Sequence, residues 1–249
     1  MLSKPQLSRH RPGKKRRPEG DDPATFYYLV RQWPETFCEG KTGCPRQPKR
    51  EAWTIHGLWP NYNKGGYPKN CAGGNPAQYS EQDIHDLESE LTKYWPSYKG
   101  PDSGFWEHEY NTHGTCNIND LNEEEYFNVT LGLDLEYEIQ NHLDSANIVP
   151  DDSKTYATKD IEDVLANAWG AKPVVKCACR GGWPAECDEA LIDSILICID
   201  ENLQIGDCTY DCQGEGCEYT NCDRVQYLPL RQHGRSGTGA SQKTHATVL

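Results

Sequence analysis

Trp53-Thr54-Ile55-His56-Gly57-Leu58-Trp59-Pro60 is the stretch on which the reading of this chain turns. Branched and aromatic residues alternate along it and Pro60 stops it, a pattern that predicts a half-buried β-strand. A histidine between two tryptophans in such a strand needs something polar opposite it. Upstream, Phe26-Tyr27-Tyr28-Leu29-Val30-Arg31-Gln32-Trp33 ends at Pro34 and predicts another strand. The segment between the two, with Cys38, Gly40, Gly43, Cys44 and Pro45, reads as a loop.

Downstream, residues 60–79 carry Gly, Pro and Asn and read as a long surface loop. Ser80 with Asp83 has capping-box spacing, and Ile84, Leu87, Leu91 and Trp95 make one apolar stripe that Pro96 ends. Further helices are predicted over Phe105–Cys116, from Asn122 (with Glu125) on to Leu143, and over residues 158–168. After Pro173 the pattern changes. Residues 173–177, 192–199 and 203–208 read as strands, with Asp200-Glu201-Asn202 turning the last two into a hairpin. Strands, then helices, then strands predict an α+β fold, a mainly antiparallel sheet packed with helices. The expected organisation is a disordered basic segment over 1–23, one domain over 24–228 and a disordered polar tail over 229–249.

The chain has 249 residues, enough for a substantial core. No apolar run approaches 18 residues, which excludes an apolar membrane-spanning helix. Twelve cysteines fit six disulfides made in an oxidising compartment. Net charge is −13, yet residues 1–20 hold seven Lys/Arg and one acid. A body this acidic cannot hold a polyanion by bulk attraction, so a small local site must do it. The N-terminal stretch contains Lys14-Lys15-Arg16-Arg17 but no apolar core of a secretory signal. It reads as a disordered tail, a propeptide remnant or a misplaced start. A nuclear-import signal is the alternative, and it conflicts with the cysteines.

The second chemically loaded stretch is Phe105-Trp106-Glu107-His108-Glu109-Tyr110-Asn111-Thr112-His113-Gly114-Thr115-Cys116. On a helix, His108, Glu109, Thr112 and His113 share one face within an arc of about 140°. Such a face needs water, a metal or an anion opposite it. His108 and His113 are five residues apart, which converges less well than the i, i+4 pair of helical zinc sites. Solvated surface histidines are the plainest reading of the helix alone, but they leave His56 unexplained. Acid–base chemistry accounts for all of them. Two imidazoles in opposite protonation states can take a proton from a ribose 2′-hydroxyl and give one to a leaving oxygen. Protonated rings and hydrogen-bond donors can stabilise the charge on phosphorus, so neither metal nor cofactor is required.

Residues 53–60 and 106–116 resemble the two active-site segments of the ribonuclease T2 family of secreted and vacuolar acid ribonucleases. The resemblance runs from about Tyr27 to Cys212 and takes in Gln32-Trp33-Pro34 and Asn70-Cys71. It implies a disulfide-stabilised ribonuclease T2-like α+β fold and a metal-independent endoribonuclease acting on single-stranded RNA. It also implies a secretory destination, extracellular or vacuolar, no membrane partner, and a monomer. Carried over residue by residue, His56 would be the general acid, His113 the general base, His108 a phosphate ligand and Glu109 a group that polarises or orients the phosphoryl. Gln32, Trp59, Phe105 and Thr112 would bind substrate, with Tyr62 and Tyr67 close in sequence and Trp106 reading mainly as packing. The family pattern usually has Lys at Thr112 and Trp at Tyr110. The missing cation predicts a weakened enzyme unless another Lys or Arg replaces it. A binding protein with decayed catalysis on the same fold is the alternative.

The resemblance pairs Cys71 with Cys116, closing a loop of about 45 residues that could contribute roughly 3–4 kcal/mol. Cys38–Cys44 would close a short loop. Cys198 and Cys208 flank the expected hairpin and could pair across it, leaving Cys177 for Cys212. Sequential pairing of the rest gives Cys179–Cys187 and Cys217–Cys222, with a zinc site in the C-terminal cysteines as the alternative. Asn128-Val129-Thr130 is an N-glycosylation sequon within a predicted helix.

Overall fold

A computed structural model describes residues 24–39, 44–46, 51–63, 65–72, 79–180, 189–208 and 222–231. In chain order the elements are β1 (Phe26–Gln32), α1 (Pro34–Glu39), β2 (Thr54–Asn61), a 3-10 turn (His85–Leu87) and α2 (Glu88–Tyr94). Next come α3 (Asp102–Thr112), a 3-10 turn (Gly114–Cys116), α4 (Glu123–Glu136), α5 (Gln140–Ser145), β3 (Asp151–Ala157) and α6 (Thr158–Trp169). The chain closes with β4 (Val174–Cys179), β5 (Ala190–Asp200), β6 (Ile205–Gly206) and β7 (Arg224–Tyr227). The strands form one sheet in the order β2-β1-β5-β7-β3, with β4 and β6 also paired to β5. Every pairing is antiparallel except β5–β7. The α+β expectation and the mainly antiparallel sheet are both observed.

The two faces of the sheet differ. Tyr27, Leu29, Ile55, Leu58, Ile195 and Ile197 join residues of α2 to α6 in the main core. The other face carries a smaller apolar cluster of Tyr28, Val30, Leu196 and Cys198, with Trp59 packed on it. One rung on that second face runs straight across four strands: Thr54 opposes Gln32, Gln32 opposes Ser194, and Ser194 opposes Lys176. Directly opposed residues project to the same side, so these four side chains share a face.

The β1–β2 ladder slips beside this rung. Val30 faces Gly57 and Arg31 faces Ile55, which leaves His56 as the extra residue of a bulge. A bulge frees one residue from the alternation of a strand and re-aims its side chain. His56 thus leaves an otherwise apolar strand without disturbing the register that buries Ile55 and Leu58.

Several expectations from the sequence change. No helix starts at Ser80. Glu123 captures the Ser80 N–H through both carboxylate oxygens (3.1 and 3.0 Å), and α2 begins only at Glu88. The helix expected over 105–116 begins earlier, at Asp102, and ends at Thr112. The capping box at Asn122 and Glu125 is present and opens α4. The run to Leu143 is two helices, because the Glu138 carboxylate takes the N–H groups of Gln140 and Asn141 and restarts the chain. The loop after Trp33 contains α1, whose first residue is Pro34, where a missing N–H costs nothing. Strands β3 and β7 are additional. β3 is mostly exposed and lies at the sheet edge, so it carries no apolar alternation to read.

Disulfides join Cys38 to Cys44, Cys71 to Cys116, Cys198 to Cys208, and Cys177 to Cys222. The last corrects two expectations, Cys177–Cys212 and Cys217–Cys222. Strand β7 runs beside β5 and delivers Cys222, two residues before it, to a Cα–Cα distance of 6.5 Å from Cys177 on β4. Cys179 is also disulfide-bonded. Its expected partner Cys187, with Cys212 and Cys217, lies outside the described residues. No helix among the described residues is long and apolar enough to cross a membrane.

Candidate active site

His56 and Glu109 come from different elements, β2 and α3, and meet because β2 is bolted to the helices. Trp95 Nε1 donates to the His56 carbonyl (2.8 Å), Trp106 Nε1 donates to the Trp95 carbonyl (2.8 Å), and Tyr126 Oη donates to the Leu58 carbonyl (2.9 Å). Trp106 is buried and serves this scaffold, so its role is packing. At the other end of α3, the Asn70 N–H donates to the Thr112 carbonyl (2.9 Å), and Cys71–Cys116 ties the same loop to the 3-10 turn after the helix. Gly57 is required for the approach. A Cβ there would overlap Glu109 Oε2 and Trp59 Nε1.

Trp59 is the centre of the arrangement. Its Nε1 donates to Glu109 Oε2 (2.8 Å). Its indole stacks on His113 (centroids 5.0 Å apart, 24° between planes) and meets His56 edge-on at 5.1 Å. A single indole therefore separates the two imidazoles. Glu109 Oε1 lies 3.9 Å from His56 Nε2. Phe105 packs on His56 at 5.7 Å, and the half-exposed Tyr67 leans on His113 at 5.7 Å. His113 is the residue after α3, its N–H still bonded to the Glu109 carbonyl. That bond keeps it on the face of Glu109 although the helix has ended.

The electrostatics follow from burial. Glu109 is 1% exposed, and burial pushes its carboxyl up to about 8, partly offset by the Trp59 hydrogen bond. Burial, helped by the charges of His108 and Lys176, depresses His56 to about 4. Burial, helped by His56 and His108, depresses His113 to about 3. Near neutrality these shifts favour the uncharged form of all three groups. An arriving anion favours the protonated form of a neighbouring imidazole and leaves Glu109 protonated.

His56, Glu109, His113, Trp59 and Phe105 are thus brought together. His108 is exposed on α3, near enough for its charge to act on both other histidines. Thr112 is half-buried at the end of α3. Gln32 is 3% exposed, in the rung below His56, and its carboxamide oxygen has no hydrogen-bond partner among the described residues. Sequence reasoning missed Phe37, which meets His56 at 6.4 Å, and Lys176; neither carries a local signal. Among the described residues no group of three or more His, Cys, Asp or Glu side chains is placed to hold a metal.

A family model described as the ribonuclease T2 family matches residues 24–208. The chain belongs to the ribonuclease T2 family. As a family member it is a T2-type endoribonuclease. It is 38% identical over 197 residues to Ribonuclease DdI of Dictyostelium discoideum, covering 77% of this chain and 81% of that protein. It is 38% identical over 156 residues to Ribonuclease T2 of Aspergillus oryzae, covering 55% of each. Among solved structures, RNase NT in complex with 5′-AMP superposes with a TM-score of 0.71 at 29% identity, covering 84% of this chain and 100% of that one. The RNase-related protein from Calystegia sepium superposes with a TM-score of 0.69 at 28% identity, covering 85% and 100%.

Proposed function

We propose that this ribonuclease T2 family member cleaves single-stranded RNA by transesterification and needs no metal or cofactor. His113 takes the proton of the ribose 2′-hydroxyl as that oxygen bonds to phosphorus. The bond from phosphorus to the 5′-oxygen breaks, and His56 gives that oxygen its proton. The product is a 2′,3′-cyclic phosphate, which the same pair in reversed roles opens with water to a 3′-phosphate. Protonated Glu109 donates to a phosphoryl oxygen, and His108 meets the phosphate from the exposed side of α3. Trp59, Phe105 and Gln32, with Tyr67 at the rim, hold the nucleotides by stacking and edge hydrogen bonds.

The observation that carries this reading is the gathering of His56, Glu109 and His113 around the single indole of Trp59. Ionisable groups gathered in one place with strongly shifted proton affinities mark a candidate functional site, and two imidazoles beside a protonated carboxyl suit an anionic substrate. The disulfides support an extracellular or vacuolar destination, and the protein acts there as a monomer. Asn128 is half-buried on α4, and the buried Thr130 of its sequon donates to the Tyr126 carbonyl. Glycan attachment there would precede folding.

Thr112, where the family usually has lysine, favours a second reading: an RNA-binding protein with decayed catalysis. Digestion of single-stranded RNA with EDTA present, followed by analysis of the product termini, separates the two. Ends bearing a 2′,3′-cyclic phosphate are expected. Ends bearing a 5′-phosphate would overturn the mechanism, and retention of intact RNA would establish the binder.

A further inference from the structure

Along β2, Trp59 and Thr54 lie to either side of His56. On the Trp59 side are the rings of Trp59, His113 and Tyr67. With His113 as base, that side holds the nucleotide whose 2′-hydroxyl attacks. The Thr54 side is built differently. Tyr98 Oη bonds Thr54 Oγ1 at 3.4 Å and its ring packs on Phe37 at 6.1 Å, which in turn meets His56. Over the Phe37 ring, 5.3 Å from its centroid, sits the ammonium of the exposed Lys99.

A second lysine reaches the same place across the sheet. The rung Thr54–Gln32–Ser194–Lys176 places the Lys176 side chain on the face that carries Thr54, and its charge is felt at His56. A bulge in the β4–β5 ladder leaves Asp193 unpaired beside it. That partly buried carboxylate acts against the desolvation of the partly buried ammonium. Between the lysines lies Gln32 with its unbonded buried oxygen. Two cations, one buried polar group in want of a partner and two aromatic rings thus gather on the leaving-group side of the general acid. The chain is otherwise strongly acidic, with a net charge of −13, so local cations must hold the RNA backbone there.

We propose that Lys176, with Lys99, forms a phosphate subsite on the leaving-nucleotide side of His56, which grips the next phosphodiester downstream of the scissile bond. It supplies, one phosphate further along, positive charge that Thr112 does not. The subsite rests on the assignment of His56 as general acid and adds a preference for longer substrates to it. A phosphate bound there also favours protonated His56, the form that gives its proton away.

The test compares uridylyl-3′,5′-uridine with the same dinucleotide carrying a 3′-terminal phosphate. The readout is the ratio of their kcat/KM values. A preference of about tenfold for the phosphorylated form is expected in the wild type, matching one charge-assisted phosphate contact. Lys176→Met should bring the ratio near one, Lys176→Arg should keep most of it, Lys99→Met should lower it in part, and Lys154→Met, remote on β3, should leave it alone. A ratio near one in the wild type, or one that Lys176→Met does not move, overturns the subsite. Binding of the uncleavable 2′-deoxy forms by titration calorimetry gives the same ratio without turnover. Failure of the cleavage reading, seen as no turnover of either substrate, therefore stays distinct from failure of the subsite. Thermal unfolding of Lys176→Met identifies misfolding as a separate effect, and the Lys176→Arg ratio then decides.

Discussion

Two clusters of ionisable groups lie against β1 and β2, and they are built in opposite ways. Arg31 and Asp134 form an ion pair of 2.7 Å with side chains 6% and 4% exposed. Arg31 also donates to the carbonyls of Asp134 and Trp53 at 3.3 Å each. Each charge there has its answer inside the fold. Around Glu109, His56 and His113 the only close opposite pair among the described residues is His56 with Glu109 at 3.9 Å, and burial is the largest cause of the shift of each towards its neutral form. The first cluster joins β1 to α4. The second holds its ionisable groups without an internal ion pair of that quality, as the proposed anionic substrate would require. Burial alone does not separate structure from function here; the presence of an internal counter-charge does.

The contrast is broken most directly by deleting one member of each cluster. His113→Ala should lower RNA turnover by about 10³-fold while the fold persists. Its stability should even fall less than that of the wild type between pH 6.5 and 3. A histidine held neutral in the fold takes up a proton on unfolding, and that cost grows as pH drops through this window. Asp134→Ala should do the reverse, losing about 3–5 kcal/mol in urea unfolding and keeping the turnover of the molecules that remain folded. If Asp134→Ala abolished turnover without loss of stability, the two clusters would not be distinct in kind.

Gly57→Ala probes how tightly the second cluster is held. The added methyl displaces Glu109 or Trp59, and a displacement of that size should cost about 10²-fold in turnover. Wild-type rates in this variant would show that the carboxylate need not sit where it does. Thr112→Lys adds the missing cation. A gain of about tenfold on polyuridylate is expected, and no gain would mean that charge from elsewhere, such as Lys176, already suffices. Glu109→Gln has the smallest effect on the fold. A carboxyl raised to about 8 binds its proton more tightly folded than unfolded, so the wild type loses stability as pH rises from 4.5 to 8. The glutamine variant lacks that loss and should gain about 3.5 kcal/mol of stability relative to wild type between pH 5 and pH 8. Parallel curves from thermal unfolding would show that Glu109 is ionised throughout.

Much of the site was legible in the chain because its two segments are local. Residues 53–60 and 105–116 each place their chemistry within one element, and strand alternation and helical spacing read such elements well. What was not legible has one cause throughout. The bulge at His56 depends on how β1 pairs with β2, not on either strand alone. The start of α2 depends on Glu123 reaching back to Ser80. The pairing of Cys177 depends on β7, whose four residues carry no periodic signal and whose place is set by Trp33, Trp53 and Tyr227 packing together.

From residue order alone came the candidate catalytic residue types, the class of reaction proposed for them and the alternation of strands and helices, since each rests on neighbours within a turn or a strand pair. The fold had to decide the protonation states and the company each group keeps. A carboxylate or an imidazole has the same affinity for protons anywhere in an unfolded chain. Burial against Trp59, Phe105 and the helices behind them is the largest cause that drives Glu109 up and the histidines down, and the order of strands in the sheet brings the Lys176 charge within reach of His56.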